Sequence, residues 1–383
     1  MTVMGTAPRI SVLLASYSVT GVPRITLSLV RELAIRDYRV DFVLLSGRLP
    51  EGVRRNLGRS VRLIELQRQR TMHALPSLWR YFRRERPAGV ISAEEHLNVV
   101  ALVALRAARS NARISISFHV PPDLGHERPI WDSRRWPLMV GRWVYPWADA
   151  IVPISQAMGE QLANATGIDR DRLKVIYNPV VSDWLVERSR ELIAPDCLDE
   201  SSRFILGVGT LDPRKGFLDL LTAFAFVRRS RDMHLVILGE GKQRKELESR
   251  VVELGLEGTV SLPGAVANPY AWMARAEVFV LPSYFEGLPT VLIEAMACGC
   301  PVVATDCPTG PREILDEGRY GKLVPMRDPE RLAEAILETL ATAPDREALL
   351  ERARAFHVDR VMDEYLGALG LLAAEPHAAR SIR

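Results

Sequence analysis

The stretch PSYFEGLPTVLIEAMACGCPVVATD, residues 282–306, predicts the end of a strand, a loop and a helix in direct succession. The apolar letters EVFVL before it are typical of a buried parallel strand. The segment 290–298 is typical of a helix, and Pro289 suits its first turn, where no N–H donor is needed. Glu286 lies on the loop and Glu294 about one turn inside the helix. Both carboxylates can therefore point into one crevice beside the anion-binding start of the helix.

The same stretch resembles the retaining glycosyltransferases of family 4, which have the GT-B fold and an E-x7-E motif. The letters PS, EG, EAMA and GCPVVAT carry the resemblance, because the spacing of Glu286 and Glu294 by itself is common on solvated helix faces. The resemblance implies that Glu286 binds hydroxyls of the transferred sugar during catalysis and that Glu294 binds ribose hydroxyls. It also implies that the donor is bound by the backbone around the helix start, at Gly287, Leu288, Thr290 and Val291.

A second motif, VGTLDPRKGFLDLLTAF (208–224), places Arg214 and Lys215 on the loop between a predicted strand and the next helix. Two adjacent cations suit a diphosphate, whose negative charge grows when it leaves. In the resembling family such a pair binds the diphosphate of the donor. Many members have an arginine where this chain has Thr210, and Arg214 is the candidate to replace it. The alternative for Arg214 is a solvated loop residue.

The first half of the chain contributes two further residues to the implied site. Gly21 follows the first predicted strand, where the family has a loop, commonly with two glycines, that closes over the donor phosphate. Only one glycine is present here, and a turn glycine without a ligand is the alternative. His119 ends the predicted strand RISISFHV, and the family has a histidine there, close to the transferred sugar and the acceptor. A histidine of the core is the alternative.

Three other sequence features are ambiguous. Glu94, Glu95 and His96 form a polar cluster after a predicted strand and are candidates for lining the acceptor side of the site. Asn178, in the letters NPV, matches the turn at the family's domain junction and is assigned a structural role. The loop LGEGK (238–242) has neither the P-loop nor the dinucleotide spacing. Its position suggests a loop near the nucleotide base or a plain turn.

Chain length and the order of elements predict two α/β domains. At 383 residues the chain exceeds one ordinary domain, and apolar runs alternate with helical segments in both halves. The strands predicted for the first half are 9–16, 40–45, 89–91, 114–118, 150–153 and 172–180. The predicted fold class is α/β, GT-B, with two doubly wound Rossmann-like domains and the active site in the cleft between them. The predicted parts are an acceptor-side domain (1–185), a linker (186–202), a nucleotide-sugar donor domain (203–358) and a helix returning to the first domain (359–383).

The charge of the chain is distributed unevenly. Residues 1–190 contain 28 Lys and Arg against 17 Asp and Glu, while the remainder contains 22 against 30, so the first half is expected to meet something anionic. Two basic-aromatic stretches explain this charge, RQRTMHALPSLWRYFRRERP (68–87) and WDSRRWPLMVGRWVYPW (131–147). Both suit an anionic membrane surface, and the first is the better candidate. The alternative is an amphipathic helix with core aromatics and solvated arginines. No nucleic-acid motif accompanies the charge, so nucleic acid is not a predicted partner.

Targeting signals and cysteines narrow the class further. No apolar run approaches the ~20 residues that span a bilayer, and the N-terminus lacks a signal-peptide pattern. The predicted location is therefore cytoplasmic, peripheral on the inner face of the plasma membrane. The chain has 4 cysteines, too few for a disulfide framework. No histidine lies near Cys298, Cys300 and Cys307, so we predict buried reduced thiols rather than a metal site. No metal and no cofactor is expected.

The resemblance therefore implies a retaining, metal-independent glycosyltransferase. It would move a hexose or N-acetylhexosamine from a nucleotide-sugar donor to a lipid-linked or polysaccharide acceptor in bacterial envelope glycan synthesis. The run TDCPTGPREIL (305–315) resembles members that use UDP-sugars, so UDP is favoured over GDP. The alternatives are a catalytically silent sugar-nucleotide-binding or scaffold protein, and a GT-B phosphorylase or epimerase. An NAD enzyme is disfavoured because the dinucleotide fingerprint is absent.

Overall fold

The computed structural model describes residues 7–18, 21–68, 70–120, 136–193, 202–343 and 345–372. The chain divides into two compact units. Unit 1 consists of Met1–Pro179 and Val358–Arg383, and unit 2 consists of Val180–His357.

Unit 1 contains a parallel sheet of six strands in the order β3-β2-β1-β4-β5-β6. Its strands are β1 (Arg9–Ser16), β2 (Arg39–Ser46), β3 (Val61–Glu65), β4 (Gly89–Ser92), β5 (Arg113–Phe118) and β6 (Ala150–Pro153). Its helices before the unit boundary are α1 (Val22–Ile35), α2 (Glu51–Arg55), α3 (Leu75–Glu85), α4 (Glu95–Ala107), α5 (Trp136–Val144) and α6 (Gln156–Thr166). This strand order is that of a doubly wound Rossmann-like domain, in which ligands lie beyond the carboxyl ends of the strands.

The central strands of unit 1 form because both of their faces are covered. In β1 the side chains of Ile10, Val12, Leu13 and Leu14 are all fully buried, which is why this strand appears in the sequence as a continuous apolar run. The register pairs Ile10 with Val40 of β2. Ser155 caps the N-terminus of α6, and its hydroxyl accepts a hydrogen bond from the amide of Met158 at 3.1 Å.

Unit 2 repeats the same architecture with the strand order β12-β11-β10-β7-β8-β9, all parallel. Its strands are β7 (Phe204–Val208), β8 (His234–Leu238), β9 (Val260–Gly264), β10 (Val278–Leu281), β11 (Val302–Thr305) and β12 (Lys322–Val324). Its helices are α7 (Asp183–Ser189), α8 (Phe217–Arg228), α9 (Arg244–Glu253), α10 (Pro269–Arg275), α11 (Thr290–Ala297), α12 (Pro311–Ile314), α13 (Pro329–Ala341) and α14 (Arg346–Arg354). The prediction of two doubly wound α/β domains is confirmed.

The last helix, α15 (Val358–Ala368), belongs to unit 1. Its buried residues, including Met362 and Tyr365, join the same core as β1 and α1. Arg36 at the end of α1 forms ion pairs with Asp359 and Asp363 of this helix, the first at 3.3 Å. The C-terminal segment thus completes the core of unit 1.

Some predicted element boundaries were wrong. The strand predicted for residues 172–180 is an irregular segment in which Lys174 and Ile176 donate backbone hydrogen bonds to β6, at 2.9 and 3.2 Å. It follows the edge strand β6 only briefly, because β6 ends at Pro153 and the chain then enters α6. The short strands β3 and β12 were missed. Helix α7 also lies across the start of the segment 186–202, for which a linker was predicted.

Candidate functional site

A lysine and a glutamate from neighbouring strand ends pair directly in unit 2. Lys215 follows β7 and Glu286 follows β10, and these two strands are adjacent in the sheet. Lys215 Nζ lies 2.6 Å from Glu286 Oε1, and the Ser283 hydroxyl donates a hydrogen bond to the same oxygen at 2.6 Å. The Lys215 side chain is 24% exposed and that of Glu286 is 10% exposed. The pair is therefore largely shielded from water but still reachable by a ligand.

Gly216 allows the Lys215 loop to approach β10. Its φ is +66°, and a Cβ at this position would lie 2.0 Å from the carbonyl oxygen of Pro282. Any other residue would push the loop away from the strand end. The amide of Tyr284 donates to the carbonyl of Arg214 at 2.8 Å, which closes the same contact from the other side. The glycine after the two cations is thus what brings Lys215 to Glu286.

The loop before α11 is fixed by a neighbouring segment. The Thr309 hydroxyl donates to the backbone carbonyl of Glu286. At Gly310, where φ is +93°, a Cβ would lie 2.4 Å from Pro289 Cδ. These contacts hold Gly287 and Leu288 in place just before the helix.

Within α11, Glu294 is only 2% exposed, while Thr290 and Val291 at the first turn are partly exposed. Burial, followed by the nearby Glu294 carboxylate, raises the pKa of Cys298 to about 12. Burial and then Glu286 raise the pKa of Cys307 to about 12 in the same way. These thiols stay protonated near neutral pH.

Arg214 differs from its neighbour Lys215. Its guanidinium Nε pairs with Asp212 Oδ1 at 2.9 Å, and the side chain is 64% exposed. This hydrogen bond lowers the pKa of Asp212. The two cations of the motif therefore point to different partners, and the side chain of Arg214 is mostly in solvent.

In unit 1, His119 follows β5 and lies near Asn178, to which the sequence analysis assigned a structural role in a turn. Its Nε2 is 3.1 Å from the Ser117 hydroxyl. Burial lowers the pKa of His119 to about 4, and the nearby side chain of Asn178 opposes this shift. Asn178 is itself 3% exposed. His119 is thus neutral at physiological pH, and Asn178 is a site-adjacent residue that the family turn motif did not reveal.

Two glutamates after β4 hold the backbone of both neighbouring strand ends. Glu94 Oε2 accepts a hydrogen bond from the amide of Ala15, in β1, at 2.7 Å. The carboxylate of Glu95 accepts from the amides of His119 and Val120, after β5, and from its own amide. Burial is the main cause that raises both pKa values, that of Glu94 to about 7. The same effect lowers the pKa of His96.

Gly21 begins α1 with a φ of +69°, and a Cβ there would meet nothing within 4 Å. Its carbonyl accepts from the amides of Arg24 and Ile25, at 3.1 and 3.3 Å. It therefore acts as a helix-start glycine in the structure. Residues 19–20 before it lie outside the described part of the chain.

The two basic-aromatic stretches place their aromatics differently. In the first, Tyr81 and Phe82 of α3 are buried in the core, so the alternative interpretation holds for them. In the second, Trp143 of α5 is 69% exposed and Trp147 is 40% exposed. Residues 131–135 of this second stretch lie outside the described residues.

The described residues lack both a membrane-spanning helix and a metal-ligand cluster. None of the helices described is both long and apolar enough to cross a membrane. Across the described ranges, no three His, Cys, Asp or Glu side chains are grouped so that they could hold a metal ion.

Solved structures resemble this chain over nearly its whole length. The crystal structure of HepE from Anabaena in complex with UDP and glucose superposes with a TM-score of 0.74 at 21% identity, covering 95% of this chain and 99% of that one. The apo form of the lipopolysaccharide outer core galactosyltransferase WaaB gives 0.73 at 18% identity, with coverages of 94% and 99%. The fold is therefore that of a GT-B glycosyltransferase.

Sequence comparison identifies the family. Residues 19–184 match the model of Glycosyltransferase Family 4, and residues 202–342 match that of Glycosyl transferases group 1. The N-acetylgalactosamine-N,N'-diacetylbacillosaminyl-diphospho-undecaprenol 4-alpha-N-acetylgalactosaminyltransferase of Campylobacter jejuni is 33% identical over 257 residues, which cover 67% of this chain and 68% of that relative. The lipopolysaccharide 1,6-galactosyltransferase of Salmonella typhimurium is 31% identical over 183 residues, 46% of this chain and 48% of that relative. The chain belongs to the family 4, group 1 glycosyltransferases.

Proposed function

We propose that this protein is a retaining glycosyltransferase that transfers a hexose or N-acetylhexosamine from a UDP-sugar to a lipid-linked or polysaccharide acceptor in bacterial envelope glycan synthesis. The observation that carries the proposal is the contact between Lys215 and Glu286 at adjacent strand ends. A cation for a leaving diphosphate and a carboxylate for sugar hydroxyls lie side by side there. The relatives support the acceptor class, since one is described as acting on a diphospho-undecaprenol glycan and another on lipopolysaccharide.

In this proposal unit 2 binds the donor, and the Lys215–Glu286 pair exchanges partners when it arrives. The diphosphate of the donor binds the ammonium group of Lys215 and the backbone amides near Thr290 and Val291. Glu286 then turns to hydroxyls of the transferred sugar, while Glu294 binds the ribose. Gly287 and Leu288 supply further backbone contacts to the donor, and the exposed side chain of Arg214 adds positive charge near the diphosphate. The favoured nucleotide is UDP, which is also bound in the HepE structure.

Unit 1 takes the acceptor side. His119 is neutral near pH 7, so it orients the sugar and the acceptor hydroxyl by hydrogen bonding rather than by charge. Gly21 contributes its backbone to the donor phosphate. The attacking hydroxyl enters on the face from which the diphosphate leaves and gives its proton to the leaving phosphate oxygen, so the anomeric configuration is retained. Lysine, arginine and the helix start supply the positive charge in place of a metal.

The location follows from the acceptor class. We propose a peripheral enzyme at the cytoplasmic face of the plasma membrane, with the exposed arginines of residues 68–87 attracted to anionic lipid. This charge would operate without the aromatics Tyr81 and Phe82, which are in the core.

A thermal-shift titration with UDP, GDP and their sugars, in EDTA, tests the donor assignment. We expect stabilisation by UDP compounds, loss of that stabilisation in Lys215→Ala, and its persistence in Glu286→Gln, because Glu286 holds the sugar and not the diphosphate. Stabilisation by none of the nucleotides would contradict the donor assignment and favour a silent scaffold.

A turnover assay then separates the enzyme classes. Transfer with the anomeric configuration of the donor retained, followed by NMR, is expected only when a lipid-linked or glycan acceptor is present. Phosphate-dependent cleavage or isomerisation of the sugar without acceptor would instead indicate a phosphorylase or an epimerase. An absolute requirement for a divalent cation would contradict the metal-independent mechanism.

A further inference from the structure

Helix α5 presents an apolar face to the outside of unit 1. Met139, Val140 and Trp143 are 57%, 40% and 69% exposed. At 100° per residue these three positions lie on one side of the helix. The opposite side, with Pro137, Gly141 and Val144, is the buried one. Helix α5 is therefore apolar on both sides, whereas a surface helix ordinarily turns a polar side to water.

The packing of α5 fixes which side faces outward. At Gly141, a Cβ would lie 2.2 Å from the ring of Tyr145, which is fully buried. Tyr145 directly follows α5, and its ring packs against that of Phe118 in β5 with the centroids 5.0 Å apart, so α5 cannot rotate to bury Trp143 without losing that contact. Single exposed apolar residues are ordinary, but a contiguous group of large ones on one helix indicates an interaction surface.

One arginine lies beside this apolar face, and others lie further along the same layer of helices. The guanidinium of Arg142 lies 4.8 Å from the ring centroid of Trp143. Helix α4 packs against both α3 and α5, so the three helices form one layer over the sheet. The side chains of Arg80, Arg83 and Arg84 on α3 are exposed in that layer. Large apolar side chains with tryptophan, flanked by arginines, are the composition that binds the headgroup region of anionic bilayers.

We propose that the α5 face, defined as Met139, Val140, Arg142 and Trp143, docks this protein onto an anionic lipid surface. Met139, Val140 and Trp143 enter the boundary between headgroups and acyl chains, and the arginines contact lipid phosphates. The proposal deepens the proposed function by naming where a membrane-borne acceptor would be met, and it rests on that function for its biological sense. It moves the apolar part of the membrane contact from residues 68–87 to α5 and leaves the first stretch an electrostatic role.

Vesicle sedimentation tests the docking without donor or acceptor. The full chain is mixed with vesicles of phosphatidylcholine alone or with phosphatidylglycerol added. We expect the protein to bind the anionic vesicles, with an affinity that added salt weakens. The double variant Met139→Ser/Trp143→Ser should lose about tenfold or more in affinity, because it lacks two large apolar side chains whose transfer out of water favours binding. The matched control is Trp184→Ser in unit 2, where the tryptophan is 55% exposed and has Arg188 5.5 Å from its ring. This control should bind vesicles like the wild type.

The outcomes separate the docking from the enzymatic proposal. The α5 variant should keep the UDP thermal shift of the wild type, which also shows that it is folded. Equal vesicle binding by the α5 variant and the wild type would overturn the proposal, as would binding that depends only on Arg80, Arg83 and Arg84. Absence of vesicle binding would overturn it too, and light scattering would then show whether a second copy covers the face. Absence of a UDP-induced thermal shift in the wild type would count against the donor assignment but would not affect the vesicle-binding test.

Discussion

The two units hold the polar residues after their strands in different ways. In unit 2, Lys215 and Glu286 bind each other, side chain to side chain, at 2.6 Å. In unit 1, Glu94 and Glu95 bind backbone amides, and they tie the end of β4 to both neighbouring strands. A side-chain pair can exchange its partners for a ligand, whereas a carboxylate that holds the main chain cannot leave without loosening a loop. The comparison indicates that exchangeable contacts lie in unit 2 and fixed ones in unit 1.

The largest expected effect is on catalysis in unit 2. Lys215→Ala should lower the transfer rate by about 10²–10³-fold, because the leaving diphosphate loses its nearest cation. Steady-state kinetics with the UDP-sugar measures this. Lys245→Ala, at an exposed lysine on α9, is the matched control and should leave the rate unchanged.

Stability distinguishes this loss from misfolding. Lys215→Ala leaves the carboxylate of Glu286 largely buried without its cation, which destabilises a protein by about 3–5 kcal/mol when burial is complete. The double variant Lys215→Ala/Glu286→Gln should recover much of the unfolding free energy but none of the transfer rate. Recovery of both would show that the pair is structural and would remove the contrast between the two units.

The second prediction concerns the fixed contacts of unit 1. The folded pKa of Glu94 is raised from 4.5 to about 7, so the unfolded chain loses this proton before the folded one as pH rises. The free energy of unfolding should therefore fall between pH 4.5 and 7, by about 3 kcal/mol in all, and then level off. Glu94→Gln is neutral throughout and can still accept from the Ala15 amide. Its stability advantage over wild type should grow across this pH window, as followed by urea unfolding, and a constant difference would contradict the assignment.

The third prediction tests the core position of the aromatics in α3. The Tyr81 hydroxyl donates to Asp41 Oδ2 and is bonded to the Ser11 hydroxyl, both at 2.6 Å. Tyr81→Phe removes a buried hydrogen bond to a charged group and should cost about 2 kcal/mol of unfolding free energy. The exposed Arg83 on the same helix serves as the control, since Arg83→Gln should change stability by less than about 0.5 kcal/mol. Equal effects would mean that α3 does not distinguish core from surface in this way.

The fold could be predicted from the buried parallel strands. Strands such as β1 are covered on both faces, so they appear in the sequence as continuous apolar runs that are easy to recognise. It missed β3 and β12, which are edge strands with mixed composition. It also extended a strand over 172–180, where the segment donates only two backbone hydrogen bonds to β6 and forms no continuous strand.

Within the candidate site, the motifs located Lys215, Glu286 and Glu294 on the correct elements, but their contacts depend on packing that no motif contains. The approach of Lys215 requires the missing Cβ of Gly216, and Asn178 meets His119 from a segment far along the chain. The two basic-aromatic stretches have similar composition, so which aromatics are buried depends on which side of each helix faces the core.

The smallest expected effect concerns the neighbour of Lys215. Arg214 is exposed and paired with Asp212 by a contact of the kind that contributes only about 0.2–1 kcal/mol. If Arg214 attracts the diphosphate only through its charge, without contacting it, Arg214→Ala should lower kcat/KM for the donor by only about three- to fivefold. Added salt should reduce this difference. Asp212→Asn, which releases the guanidinium, should leave kcat/KM unchanged or raise it slightly. A loss in Arg214→Ala as large as that in Lys215→Ala would mean that Arg214 leaves Asp212 and binds the diphosphate directly, so that both cations of the motif belong to the exchangeable contacts of unit 2.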